Sequence, residues 1–291
     1  MEHLVDRNKC AAIYSSRMKG QAEKSTESAL SNKGAKQSQS AQIASVRKAI
    51  EVLGSFTPQT SSWALSDLSR HLGIPKSTAY YLLQTLKDFD FVQQDEQHKV
   101  YRLGSRAMKL GLTFAIGNDL LSHARSVLNR LAEQTGETVK FGVLSNNQVF
   151  ILAAVESPKQ LHTRGDLGTS WPMHSSGLGK AILSILPWDK TVSILENTGM
   201  PRFTKTTLQN LHAVEREIKQ IRHRGYAVDR QENESGVCCV AAPVIDSLQG
   251  TIAAISVSGP SARLRENLLS ELGQQVAAAS RTITNYSGRI L

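Results

Sequence analysis

Residues 65–91 read LSDLSRHLGIPKSTAYYLLQTLKDFDF, two short helical patterns on either side of Gly73-Ile74-Pro75. Leu65, Leu68 and Leu72 recur at offsets of three and four, one apolar stripe. Ala79, Leu82, Leu83 and Leu86 make a second at helical spacing. Gly73 can end the first helix in a left-handed conformation, and Pro75 pre-sets the backbone for the first turn of the next. The pattern is a helix-turn-helix. Its second helix leaves Lys76, Ser77, Thr78, Tyr80, Tyr81, Gln84 and Thr85 facing outward, a surface short of acid and rich in hydrogen-bonding groups. Such a helix fits the major groove of duplex DNA, where these side chains reach phosphates and base edges.

Upstream, Val46, Ala49, Ile50 and Leu53 form a helical stripe closed by Gly54, expected to pack on the other two helices as a three-helix core. Residues 1–40 are rich in Ser, Lys, Gln and Ala with little periodic apolar content, which predicts a disordered basic tail. Downstream, Phe91–Gln94 and Lys99–Leu103 flank a polar turn, so a β-hairpin is expected. A hairpin directly after the second helix is the wing of a winged helix, and His98, Lys99 and Arg102 on it suit a phosphate or the minor groove. Residues 105–118, SRAMKLGLTFAIGN, are a more apolar helical run and predict a linker helix that also dimerises.

From Asp119 a second domain is expected. Leu120, Leu121, Ala124, Val127, Leu128 and Leu131 build an amphipathic helix closed by Gly136. Thr138–Leu144 alternates Val139, Phe141 and Val143 as a strand, and Gln148–Val155 returns after the Asn146-Asn147 turn. Glu156–Trp171 has no period and predicts a long loop, a place where function often resides. Helices are expected over Ser175–Leu186, Trp188–Glu196, Leu208–Arg224 and Arg263–Tyr286, and strands over Val237–Ile245 and Thr251–Ser258. The resulting class is α+β: a winged helix-turn-helix domain over 41–104, a linker helix over 105–118, and an α/β domain with a largely antiparallel sheet over 119–291.

Composition narrows the function. The chain has 291 residues, 40% of them hydrophobic, and a formal net charge of +9. Residues 1–111 hold 16 Lys and Arg against 10 Asp and Glu, so the basic excess lies where the helix-turn-helix does, as a phosphate-binding surface requires. No apolar run approaches the roughly 18 residues of a membrane span, and the N-terminus lacks an apolar signal core, so a cytoplasmic protein is expected. Cys10, Cys238 and Cys239 give neither a disulfide framework nor zinc spacing, and no metal or cofactor is expected.

Four segments carry a resemblance: SVRKAIEVL; LGIPKSTAYYLLQTL with HKVYRLG; TGETVKFGV with MHSSGLGKAIL; and IRHRGYAVDRQENESGVCCVAAPV with AAISVSGPSAR. Over about residues 43–287 the chain resembles the IclR-type transcriptional regulators, the isocitrate lyase regulator family. The resemblance implies a C-terminal GAF-like effector-binding domain, no enzyme activity, and a homodimer or homotetramer on a palindromic double-stranded operator. It also implies a pocket for a small organic or aromatic acid. By matched positions its polar groups are Asp229, Cys239, Ser256 and Ser258 with the backbone at Gly177 and Leu178, and its wall is Trp171, Val237 and Thr163. The residues agree in kind: Ser176–Gly179 precedes a helix whose free N–H groups favour an anion, and Ser256 and Ser258, two apart on a strand, share a face. Tyr81 departs from the family, which commonly has Arg there, so a bidentate Arg–guanine contact is unavailable.

Two other readings compete. A metal or redox sensor could use Cys238 and Cys239, although adjacent strand residues point to opposite faces. A hydrolase or phosphate-loop enzyme could use His174-Ser175-Ser176 or Gly177–Lys180. The phosphate-loop pattern, however, needs Gly at His174 and Ser or Thr at Ala181.

Overall fold

The computed structural model describes residues 43–117, 119–246 and 250–287; the tail expected over residues 1–40 lies outside the described residues. Two compact units divide the chain, residues 1–51 and 52–291. Helix α1 (Ala44–Gly54) has residues in both. In its expected stripe Val46 and Ile50 are exposed, and the buried residue of the helix is Val52. Ala49 and Leu53 of the same stripe are half-buried, and Leu53 packs against the core that holds Val52, so only part of the expected face is buried.

In the second unit, a short strand β1 (Ser62–Ala64) precedes α2 (Leu65–Leu72) and α3 (Lys76–Asp88). Gly73 takes φ +62 between the helices, and its N–H closes back on Arg70 and Ser69 carbonyls. Leu68, Leu83, Leu86 and Val52 form a small core with Val92 and Tyr101 of the wing. The wing is β2 (Val92–Asp95) with β3 (Val100–Leu103), and β1 adds a third antiparallel strand in the order β1-β3-β2. After it, α4 (Ser105–Ile116) buries no residue, and Met108, Leu110, Leu112, Phe114 and Ile116 are exposed along it.

Helix α5 (Asp119–Thr135) leads into β4 (Thr138–Ser145), β5 (Gln148–Val155) and β6 (Ser170–Trp171). Then follow α6 (Gly177–Ile185), α7 (Trp188–Thr198) and α8 (Leu211–Arg224), strands β7 (Ala227–Arg230), β8 (Val237–Asp246) and β9 (Thr251–Pro260), and α9 (Glu266–Ser287). The strands make one antiparallel sheet in the order β6-β5-β4-β9-β8-β7. Strand alternation gives the sheet two faces. Val139, Phe141, Val228, Val240, Ile255 and Val257 point to a core shared with α5 and α9. On the other face Val149, Ile151, Ala227, Ala241 and Ala254 pack with α6, α7 and α8. The stretch expected as a structureless loop, Glu156–Trp171, ends in β6, which pairs with Val149 and Phe150.

Candidate functional site

On the α3 surface Lys76, Ser77, Tyr80 and Tyr81 are exposed, while Thr78 and Gln84 are half-buried. The Tyr80 and Tyr81 rings meet edge to face at 5.7 Å, and Tyr81 is 70% exposed. Gln84 donates from Nε2 to the Tyr101 hydroxyl at 3.4 Å, which ties α3 to the wing. At the wing, every expected basic residue already has an acidic neighbour. His98 Nδ1 lies 2.9 Å from Asp95, Lys99 Nζ 3.2 Å from Glu96, and Arg102 3.8 Å from Asp95. Pairs this exposed are screened by water and contribute little, so a phosphate can exchange for them.

The second site lies between the sheet and α6. Helix α6 is apolar nearly all round and is buried along almost its whole length. Ser176 caps it, accepting from Gly179 N at 3.0 Å and donating to the Pro172 carbonyl at 2.6 Å. A side chain at Gly179 would meet the Met173 backbone at 2.5 Å, and one at Gly177 would meet Cys239 Sγ at 2.8 Å. Gly177 lets the helix N-terminus come down onto β8, and Gly179 lets the Met173 backbone lie against the helix's first turn.

Beneath it the sheet carries two registered rows of side chains on this face. Asp229 pairs with Cys239, Cys239 with Ser258, and Ser258 with Thr138; Ser256 stands beside Lys140 in the next row. The rows floor a cavity of about 460 Å³, within the range of small-molecule sites. Asp229, Cys239, Ser256 and Ser258 all line it, as do Gly177 and Leu178 from α6 and Trp171 and Val237 at the side. Thr163 lines it too, its hydroxyl 2.9 Å from that of Ser258. The alternation that separates Ser256 and Ser258 from core-facing Val257 puts both hydroxyls on the cavity side.

Burial pushes the Asp229 carboxyl up to about 7, opposed by the nearby Lys180 charge and assisted by Glu232. Near neutrality a large share of the molecules therefore carries a neutral acid that can donate into the cavity. Asp229 Oδ1 accepts from Glu232 N at 2.6 Å, which fixes the carboxyl's orientation. Burial likewise pushes the Cys239 thiol up to about 12, so it is a neutral, weakly polar wall. Cys238 faces the opposite core. Among the described residues no group of three or more His, Cys, Asp or Glu side chains is placed to hold a metal.

The structure adds cavity residues that the sequence reading missed: Lys140, His162, Arg164, Asp166, Asn233 and Glu234. The residues of the hydrolase reading are engaged elsewhere. His174 Nε2 lies 3.0 Å from the Pro201 carbonyl, and Ser175 donates to Asn233 at 2.9 Å. Lys180 is buried against Glu232, not turned toward a phosphate. No Ser–His relay forms among these residues.

Residues 45–96 match the IclR helix-turn-helix domain, and residues 114–285 match the family described as bacterial transcriptional regulator IclR C-terminal. The chain belongs to the IclR family. It is thus a transcriptional regulator with a DNA-binding helix-turn-helix and a GAF-like C-terminal effector domain. The HTH-type transcriptional repressor AllR of Klebsiella pneumoniae is 32% identical over 243 residues, 84% of this chain and 89% of that protein. An IclR regulator structure from Silicibacter sp. TM1040 superposes with a TM-score of 0.75 at 26% identity, covering 84% of this chain and 96% of that one. An IclR homologue of Microbacterium hydrocarbonoxydans, complexed with 4-hydroxybenzoate, superposes at 0.72 and 21% identity, covering 84% and 100%, a likeness of fold. Among the described residues no helix is long and apolar enough to cross a membrane.

Proposed function

We propose that this IclR regulator binds a small organic or aromatic acid in the cavity between α6 and the sheet, and that the acid modulates operator binding by α3 and the wing. One observation carries the reading. The nine residues that the family resemblance named, spread from Thr163 to Ser258, line a single cavity. Ser256 and Ser258 supply hydroxyl donors and Asp229 a protonatable carboxyl. The Gly177 and Leu178 N–H groups supply the helix end that favours negative charge. Cys239, Val237 and Trp171 form the less polar wall. The 4-hydroxybenzoate complex of the Microbacterium homologue is the same class of ligand.

The DNA partner in this reading is a palindromic duplex operator, contacted by Lys76, Ser77, Thr78, Tyr80, Tyr81 and Gln84 of α3 and by His98, Lys99 and Arg102 of the wing. A homodimer or homotetramer places two such domains on two half-sites. The apolar, exposed side chains of α4 support an association through residues 105–118. In this reading the protein acts as a regulator in the cytoplasm and not as an enzyme, and the residues of the competing hydrolase reading, His174, Ser175 and Ser176, serve helix capping and loop bonding.

The test is binding to the intergenic DNA beside the protein's own gene, at fixed salt, with and without a panel of small carboxylic acids. Specific binding that one acid shifts supports the reading. Specific binding that no acid shifts removes the acid effector, and folded protein without specific binding removes the operator reading.

A further inference from the structure

Lys140 stands in the middle of β4 and is only 2% exposed. An ammonium taken so far out of water requires a neutralising partner. It has one in Asp166 Oδ2 at 2.9 Å, and it lies 4.1 Å from the centroid of the Trp171 ring. Asp166 belongs to the segment between β5 and β6, holds φ +54, and its side chain is 26% exposed. Across the strand pair, in register with Lys140, is Ser256. Its Oγ is buried, lies near the Cys239 thiol, and has no hydrogen-bond partner of good geometry. A buried hydroxyl left so is costly and calls for an acceptor. One corner of the cavity therefore holds an ammonium bonded to one carboxylate and a buried hydroxyl whose polar neighbour is only the weakly bonding Cys239 thiol. The complement of both is an anionic oxygen.

We infer that Lys140 and Ser256 together receive a carboxylate of the effector, which takes the Lys140 ammonium from Asp166. This deepens the effector-pocket reading and rests on it. Charge at this corner favours an exchange. A carboxylate added beside an intact Lys140–Asp166 pair would set two carboxylates against one buried ammonium, with Arg164 exposed at the cavity's edge, whereas substitution keeps one carboxylate for the one ammonium. The displaced Asp166, already partly exposed, recovers hydration, so the exchange of partners is nearly balanced and the Ser256 bond tips it. An uncharged ligand of the same shape leaves the pair in place. Asp166 is an internal competitor, and the ligand's charge is what releases the segment between β5 and β6.

The pair as competitor and the pair as a mere strut predict opposite signs. Acetate, pyruvate and benzoate, each beside its uncharged amide, are titrated calorimetrically into wild type, Asp166→Asn and Lys140→Met, with urea midpoints confirming that each variant is folded. Removing a competitor raises apparent affinity by the fraction it held, so Asp166→Asn should bind an acid about tenfold tighter than wild type. Lys140→Met should bind it at least about thirtyfold more weakly, and Lys140→Arg should restore part of the loss. Acid binding weakened alike in Asp166→Asn and Lys140→Met overturns the inference, as do amides binding as tightly as their acids; either leaves the pocket itself standing. No binding of any of the six compounds to any of these proteins removes the pocket reading and the inference together.

Discussion

Lys180 Nζ lies 2.5 Å from Glu232 Oε1 and 2.6 Å from its Oε2, an ion pair buried between α6 and the turn after β7. The same ammonium donates to the Val228 carbonyl at 2.6 Å, and Thr207 holds the Glu232 carbonyl from the other side at 2.6 Å. Burial pushes the Glu232 carboxyl up and the Lys180 charge pulls it down. The pair fixes the turn that follows Asp229, whose carboxyl accepts from Glu232 N, so the cavity floor depends on it. Lys180→Met leaves a buried carboxylate alone and should cost about 3–5 kcal/mol in urea denaturation at neutral pH. Combining it with Glu232→Gln should recover most of that loss.

Asp229 gives the fold a pH dependence whose sign follows from its raised value. Its folded pKa is about 7 against an ordinary 3.8, so the native state holds a proton that the unfolded chain has released. This contribution to stability is greatest below about pH 4, falls as pH rises through the window between these two values, and is flat above it. Asp229→Asn should leave stability near pH 4 almost unchanged. Near pH 8 it should raise it by up to about 4 kcal/mol, with Lys180 and Glu232 still paired nearby. Urea titrations at the two pH values read this directly.

Both described cysteines should be inert in the native protein. Cys239 is pushed up to about 12 by burial, and Cys238 is raised for the same first reason. Thiolate is the reactive form, so iodoacetamide at pH 8 should label neither in hours, and both at once in guanidinium. Peptide mass spectrometry distinguishes the two positions from Cys10.

On α3 two neighbouring residues should behave oppositely. Tyr81→Ala removes an exposed side chain and should change stability by less than about 0.5 kcal/mol while weakening or broadening DNA recognition in gel-shift titrations. Leu83→Ala opens a cavity in the small core beside Leu68 and Val52, and should cost about 2–5 kcal/mol. Unaltered DNA binding by Tyr81→Ala would sink its recognition role.

The periodic elements were legible in the sequence because burial wrote them there. Leu120 to Leu131 named α5, and Val139, Phe141 and Val143 named β4. Strands β1, β6 and β7 span three, two and four residues, too few for an alternation, and they are strands because Tyr101, Val149 and Cys239 pair with them. The two serines of the cavity were legible from their spacing on β9. Lys140 had a usable signal, since it lies between two core-facing residues and so faces the other side. Asp166 had none: it comes from an aperiodic segment, and only the folded chain brings it to Lys140 across 26 residues.

The alternation along β9 has a consequence for how such a protein diversifies. Ser256 and Ser258 look into the cavity while Ile255 and Val257 look into the core behind it. Neighbouring codons thus answer to different selective pressures. Ligand preference can drift at every second position of the strand while the fold beneath stays under its own constraint.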